Sequence, residues 1–187
     1  ANTFFLVASL TLSARWAAPG ARGISLRGRG PTLAGLGSAL AGLLLVGVTG
    51  AVTALGDTLF PAGSLAEGIE QDFAATAHFL VRLRVWHPVA AVVGGIVAVA
   101  AAIWTAIHRR DAATQRLAQL VAGLFLAQIA GGFLNLALLA PVWMQLVHLL
   151  MADLLWMSLV LLTAEALRPT GAVAPVEEPT PAWAPAG

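Results

Sequence analysis

Two histidines lie inside stretches that are otherwise apolar. His87 stands directly before a proline in "RVWHPVAA" (84–91), and His148 stands in "QLVHLLMADLLW" (145–156). A neutral imidazole offers a lone pair to a metal and an N–H to an acceptor. Asp153 is the carboxylate in the same run as His148, and Gln128, Asn135 and Gln145 are neutral polar companions. Ionisable groups inside a bilayer are costly, so these positions are where function is sought first. Cysteine is absent, which excludes disulfides, thiolate metal sites and cysteine nucleophiles within these residues. A metal would be held by His, Asp, Glu or Met.

The elements that carry these residues follow from composition. Hydrophobic residues make up 59% of the chain and charged ones 10%, with a mean hydropathy of +0.85, far from an ordinary soluble domain. This is an integral membrane protein. A span needs roughly 20 apolar residues, and four segments qualify: about 31–55, 85–107, 113–139 and 142–167. Gly56-Asp57 and Phe60-Pro61 are expected to close the first, and "HRRD" (108–111) the second. Leu139-Ala140-Pro141 leaves room only for an antiparallel hairpin between the third and fourth, with Pro141 tolerated at the first turn. The stretch "ANTFFLVASLTLS" (1–13) is too short to span and reads as the second half of another helix. The expected fold is therefore an all-α integral membrane protein: an antiparallel four-helix transmembrane bundle (31–167) with an outer loop at 56–84 and a partial N-terminal transmembrane helix (1–14). A basic loop (15–30) joins the two, and a Pro- and Ala-rich tail (168–187) is expected to be disordered.

All ten basic residues are arginines. Arg15, Arg22, Arg27 and Arg29 precede the first full span, Arg109, Arg110 and Arg116 lie between the second and third, and Arg168 follows the fourth. By the positive-inside bias the 56–84 loop faces outward, and the C-terminus is cytoplasmic in a plasma (inner) membrane. No basic patch points to nucleic acid. His108 beside Arg109 reads as interfacial, and His78 as solvated. Gly47-x-x-x-Ala51 and Gly50-x-x-x-Ala54 are small-residue pairs that let helices approach closely.

The helices bearing His87 and His148 enter the membrane from the same face. His148 lies seven residues inward of Pro141, roughly 10 Å, so the imidazoles match in depth if the second span begins before Val85. "DFAATAHFLVRLRVW" (72–86) is expected to extend that helix outward to about Asp72, with a kink at Pro88 that frees the Arg84 carbonyl. Ala91, Gly94, Gly95 and Ala98 follow on the His87 face and make a smooth groove for a flat macrocycle. Met151, Ala152 and Leu155 follow on the His148 face. Two neutral imidazoles without a thiolate or carboxylate cluster suit haem iron better than zinc or a hard cation. Arg82 and Arg84 could pair with haem propionates. The alternative is that both histidines hydrogen-bond between helices or sit at the interface. Asp153 lies roughly 140° from His148 around the helix and is expected to pair with Asn135 or Gln128. A transporter-type midplane ion site finds little support, because no pair of broken helices is present.

Longer strings weigh on that choice. "TGAVTALGDTLFP" (49–61), "TAHFLVRLRVWHPVAA" (76–91) and "QLVHLLMADLLWMSLVLL" (145–162), in this order, resemble the haem A synthase family over about residues 1–167. The resemblance implies two similar four-helix halves, each with a histidine pair on its second and fourth helices. This chain then resembles the C-terminal half with a remnant of the N-terminal one, and His87 and His148 would be axial ligands of a bis-histidine haem b used for electron transfer. The family's oxidation of a haem O methyl group to a formyl group is assigned mainly to the other half, where a glutamate precedes the histidine by three residues. Arg84 occupies that place here. Expected partners are membrane lipid, haem, and a preceding N-terminal half or other membrane subunits. The competing expectation is a non-catalytic half-length subunit of a respiratory or photosynthetic complex, with or without haem.

Overall fold

The computed structural model describes residues 2–17 and 23–169; the tail expected to be disordered lies, from residue 170 on, outside the described residues. Among the described residues seven helices follow in order: α1 (Asn2–Ala17), α2 (Gly30–Leu59), α3 (Leu65–Phe73), α4 (Phe79–Leu83), α5 (Trp86–His108), α6 (Ala112–Ala137) and α7 (Val142–Ala166). No strand occurs among the described residues. Helix α2, the α4–α5 stretch, α6 and α7 are long and apolar enough to cross a membrane. The protein is an all-helical, multi-pass membrane bundle. α1 is a shorter apolar helix, which continues past Arg15 to Ala17.

Helix starts follow local chemistry. Pro31 sits at the beginning of α2, where its fixed φ suits a first turn and its missing N–H breaks no bond. Asp111 caps α6, its carboxylate accepting the Thr114 N–H at 2.9 Å and the Thr114 hydroxyl at 2.8 Å. Burial pushes that carboxyl up, but the two Thr114 bonds and the Arg109 charge outweigh it and hold Asp111 below the usual aspartate value. Between α6 and α7, Leu139 (φ 60°) and Ala140 (φ 51°) are left-handed, and the Ala140 N–H returns to the Asn135 carbonyl at 2.8 Å.

Two expectations fail at the 56–84 loop. Phe60-Pro61 closes α2 as expected, with Phe60 as its C-cap, but Gly56-Asp57 does not end it and lies inside the helix, which runs to Leu59. Gly56 instead permits close packing, since a Cβ there would meet the Leu80 carbonyl at 3.3 Å and the Arg84 side chain at 3.4 Å. Nor is 72–86 one extended helix. Ser64 caps α3 by accepting the Glu67 N–H at 3.2 Å, while Glu67 accepts the Gly63 N–H at 2.7 Å. His78 opens α4 by accepting the Leu80 N–H at 3.3 Å. Pro88 therefore stands in the first turn of α5, where it frees no interior carbonyl, and the Arg84 carbonyl accepts the His87 N–H at 3.2 Å.

Helix α2 packs along α5 and α6 along α7, while α5–α6 and α2–α7 contacts close the bundle. The core is thin and made of small and branched side chains, among them Leu36, Ala39, Ala98, Ala102, Val121, Leu159 and Leu162. Large apolar side chains such as Leu126, Phe133 and Val142 remain exposed, as a lipid-facing surface requires. α1 lies on α7: Phe4 stacks on Trp156 at 5.1 Å, and the Trp156 indole N–H donates to the Phe4 carbonyl at 2.8 Å. At the end opposite α3 and α4, Arg29 and Arg109 both donate to the Ala166 and Arg168 carbonyls at the close of α7. Arg15 pairs with Glu165 at 3.1 Å. Burial and the adjacent Arg109 charge pull Arg29 below the ordinary arginine value.

Candidate functional site

His87 is the second residue of α5, and its ring stands over Gly50 of α2, where a Cβ would lie 3.0 Å from Cε1. A side chain at position 50 would displace the imidazole. The Thr49 hydroxyl donates to the Val46 carbonyl at 3.0 Å and lies 3.2 Å from His87 Nδ1. Because that hydroxyl proton is used on Val46, its oxygen is left to accept from Nδ1–H. With the Thr49 proton on Val46, the ring carries its proton on Nδ1 and its lone pair on Nε2; with the hydroxyl turned to Nδ1 the two exchange.

His148 is placed in a parallel way. Its ring stands over Gly131 and Gly132 of α6, whose added Cβ atoms would lie 3.5 Å from Nδ1 and 3.4 Å from Cε1. The Gln128 amide N–H group donates to His148 Nε2 at 3.3 Å and to the His148 carbonyl at 3.1 Å. Nδ1 is buried with no hydrogen-bond partner. An imidazole buried in this way is one bond short, which is uncommon for a buried polar atom. Each imidazole is thus set on glycine by a neighbouring helix.

The remaining expected residues are placed differently. Gly94 lies against Gly42 and Val46 of α2, and Gly95 lies under the Phe125 ring of α6. The smooth groove below His87 is thus filled by neighbouring helices, because small residues draw helices together as readily as they admit a ligand. Arg84 is buried and spent on protein: Nε donates to Asp72 at 2.9 Å, Nη1 to Asp57 at 2.9 Å and Nη2 to Gln71 at 3.3 Å. It pins the end of α2 to α3 rather than presenting a free guanidinium. Arg82 is exposed and has no carboxylate partner among the described residues. Asp153 meets neither Asn135 nor Gln128: Asp153 Oδ1, Asn135 Oδ1 and Gln128 Oε1 are each buried without a partner, and the Gln128 amide serves His148. Gln145 donates to the Ala140 carbonyl at 2.6 Å. His78 is exposed and stacks between Phe60 and Phe79; His108 is exposed and stacks on Trp104.

The sequence reading missed Thr49, Gly50 and the Gly131–Gly132 pair as the supports of the two rings. Spacing holds a faint trace of the first: Thr49 and Gly50 begin the string "TGAVTALGD". Among the described residues no three His, Cys, Asp or Glu side chains converge on one point. What the arrangement offers chemically is two imidazoles without an acidic cage among the described residues.

Comparison with known proteins bears on what this arrangement serves. Residues 1–160 match the family model described as cytochrome oxidase assembly protein, COX15-CtaA. Two proteins, one from each of two strains of Thermus thermophilus and both named protoheme IX farnesyltransferase, are each 48% identical over 167 residues. That match takes in 89% of this chain but 27% of each relative's length. No solved structure matches significantly. With its match over 160 residues and its apolar four-span bundle, this chain belongs to the cytochrome oxidase assembly family, the family of the haem A synthases.

Proposed function

We propose that this chain is the haem-holding half of a haem A synthase, with haem b held between His87 and His148. The observation that carries this reading is the setting of the two rings: with the Thr49 proton on Val46 the His87 Nε2 lone pair is available, and on His148 the partnerless Nδ1 becomes a ligand once the Gln128 amide turns so that its own partnerless Oε1 accepts from Nε2–H. A histidine ligand whose other nitrogen donates to a fixed oxygen is the usual arrangement in metal centres. Bound there, haem would supply a one-electron relay. The protein's part is to orient the imidazoles through Thr49 and Gln128 and to keep water out with the apolar core beneath them. The Gly94–Gly95 face is closed by Val46 and Phe125, so the macrocycle is not seated on it. Neither arginine near His87 is given to a propionate: Arg84 is spent on Asp57, Asp72 and Gln71, and Arg82 opens on a separate cleft at the α3–α4 end. Arg84 stands where the family resemblance would put a carboxylate in the methyl-oxidising half, so that chemistry is not assigned to this chain, and the loop carrying Arg84 is taken to face outward.

The test is a visible spectrum of the purified protein. A low-spin bis-histidine Soret band is expected in the wild type and is expected to be lost or shifted to high spin in His87→Ala and in His148→Ala. A wild-type protein that takes up no haem would sink the proposal.

A second reading comes from the relatives' printed name. The matched 27% of their length belongs to chains named for transfer of a farnesyl group to protohaem. A prenyl diphosphate with its magnesium is ordinarily held by carboxylates, and no acidic cluster occurs among the described residues. We therefore place such transfer in the relatives' remaining length, and read this segment as the partner that receives farnesylated haem. Haem O conversion by this polypeptide alone would overturn the division of labour.

A further inference from the structure

The α3–α4 end of the bundle carries an open cleft of about 510 Å³ that the histidine site does not use. It is lined by Asp72, Phe73, Phe79, Arg82, Leu83 and Trp86. Phe73, Phe79 and Trp86 are among the most exposed aromatic side chains of the molecule, Trp86 at 62%. Such a cluster beside the spans sits where a membrane meets water. The charges in it are of both signs. Arg82 has no carboxylate partner among the described residues. Asp72 gives only Oδ1 to Arg84, and its Oδ2 takes part in none of the hydrogen bonds of the described residues. One unpaired cation and one half-used anion therefore face a common space. Below the cleft, Trp86, Val89, Val93 and Ile96 form an exposed apolar stripe at helical spacing down α5.

We infer that this cleft is a binding site for a zwitterionic phospholipid. Its phosphate pairs with the Arg82 guanidinium, its ammonium lies against Asp72, and an acyl chain follows Trp86, Val89, Val93 and Ile96 toward the bilayer centre. The aromatic side chains wall the glycerol region. Two features select this occupant over others. An anionic lipid such as phosphatidylglycerol would satisfy Arg82 through its phosphate but bring no cation to Asp72. A neutral apolar molecule would leave both charges unpaired in a site partly removed from water. The inference does not depend on haem, and neither does its test.

The experiment is native mass spectrometry of the full chain, purified in mild detergent and exposed to equal amounts of phosphatidylethanolamine and phosphatidylglycerol with identical acyl chains. The wild type is expected to retain phosphatidylethanolamine preferentially. Arg82→Gln, at an exposed side chain, is expected to lower retention of both lipids roughly tenfold, as loss of one charge-assisted hydrogen bond would. Arg82→Lys should keep part of it, and Asp72→Asn should erase the preference between the lipids. Because Asp72 also holds Arg84, Asp57→Asn is the control: it weakens the same buried network without touching the cleft and should leave lipid selectivity intact. Unchanged retention in Arg82→Gln, a preference for phosphatidylglycerol in the wild type, loss of selectivity in Asp57→Asn, or displacement of the lipid by an equimolar quinone would each overturn the inference.

Discussion

Single atoms decide how well the two imidazoles are held. Thr49→Val keeps shape but removes the oxygen that accepts from His87 Nδ1. A net loss of about 1 kcal/mol in stability is expected from that bond, together with a shift in the redox potential of any haem bound there, measurable by spectroelectrochemistry. Gly50→Ala inserts a methyl group 3.0 Å from His87 Cε1, so the ring must turn. We expect this substitution to cut haem retention while leaving helix content by circular dichroism unchanged. Gly131→Ala is the milder counterpart, because the atom it meets most closely is the terminal methyl of the flexible Met151 side chain. His87 and His148 were legible in the sequence as polar residues in an expensive setting. Their supports were not: a threonine and three glycines are ordinary in apolar helices, and only the crossing of α2 with α5 and of α6 with α7 puts them under the rings.

At the scale of elements, hydropathy located the four spans because the bilayer imposes a length and a composition on each. It could not show that 72–86 breaks into α3, a turn, α4 and α5. That division is written in short-range polar contacts, the Ser64 and His78 caps, which a hydropathy reading passes over; "GSLAEG" (63–68) holds the Ser-x-x-Glu signal of such a start. The same kind of contact governs α6. Asp111 has a depressed pKa in the folded protein, so its contribution is fully present above the unfolded value of 3.8 and is lost as pH falls through the lower folded value. Asp111→Ala is expected to cost about 1 kcal/mol near neutrality. Thermal midpoints of the two proteins, followed downward from pH 6, should converge as the wild-type carboxylate takes up its proton. A gap that widened on acidification would contradict the capping role.

Across the whole molecule the two ends have opposite tasks. One gathers Arg15, Arg29, Arg109 and Arg168 around the close of α7 with Glu165 among them. The other fastens α2, α3 and α4 through Arg84, whose side chain is 9% exposed. Arg84→Ala would leave Asp57 and Asp72 facing one another; allowing for their partial exposure, a loss of about 2 kcal/mol is expected, read as a lower thermal midpoint in detergent. The absence of cysteine makes orientation simple to measure. Single replacements Ser64→Cys and Ser25→Cys should label from opposite sides of the membrane, Ser64→Cys from the outer one if the arginine-rich end is cytoplasmic.

The hairpin between α6 and α7 has a consequence for the entire bundle. Its left-handed residues, Leu139 and Ala140, leave no slack between Ala137 and Val142, so the turn works as a phase reference for the two long helices it joins. Each residue of helix is worth about 100° of rotation. Removing Ala140 must therefore unwind the end of α6 or spin α7 by about that angle, carrying His148 off Gln128 and Met151 off Gly131. A cysteine pair replacing Gly131 and Met151 should cross-link in the parent chain and fail to do so once Ala140 is deleted. A four-residue corner at the membrane boundary would then be keeping time for an imidazole two turns of helix away.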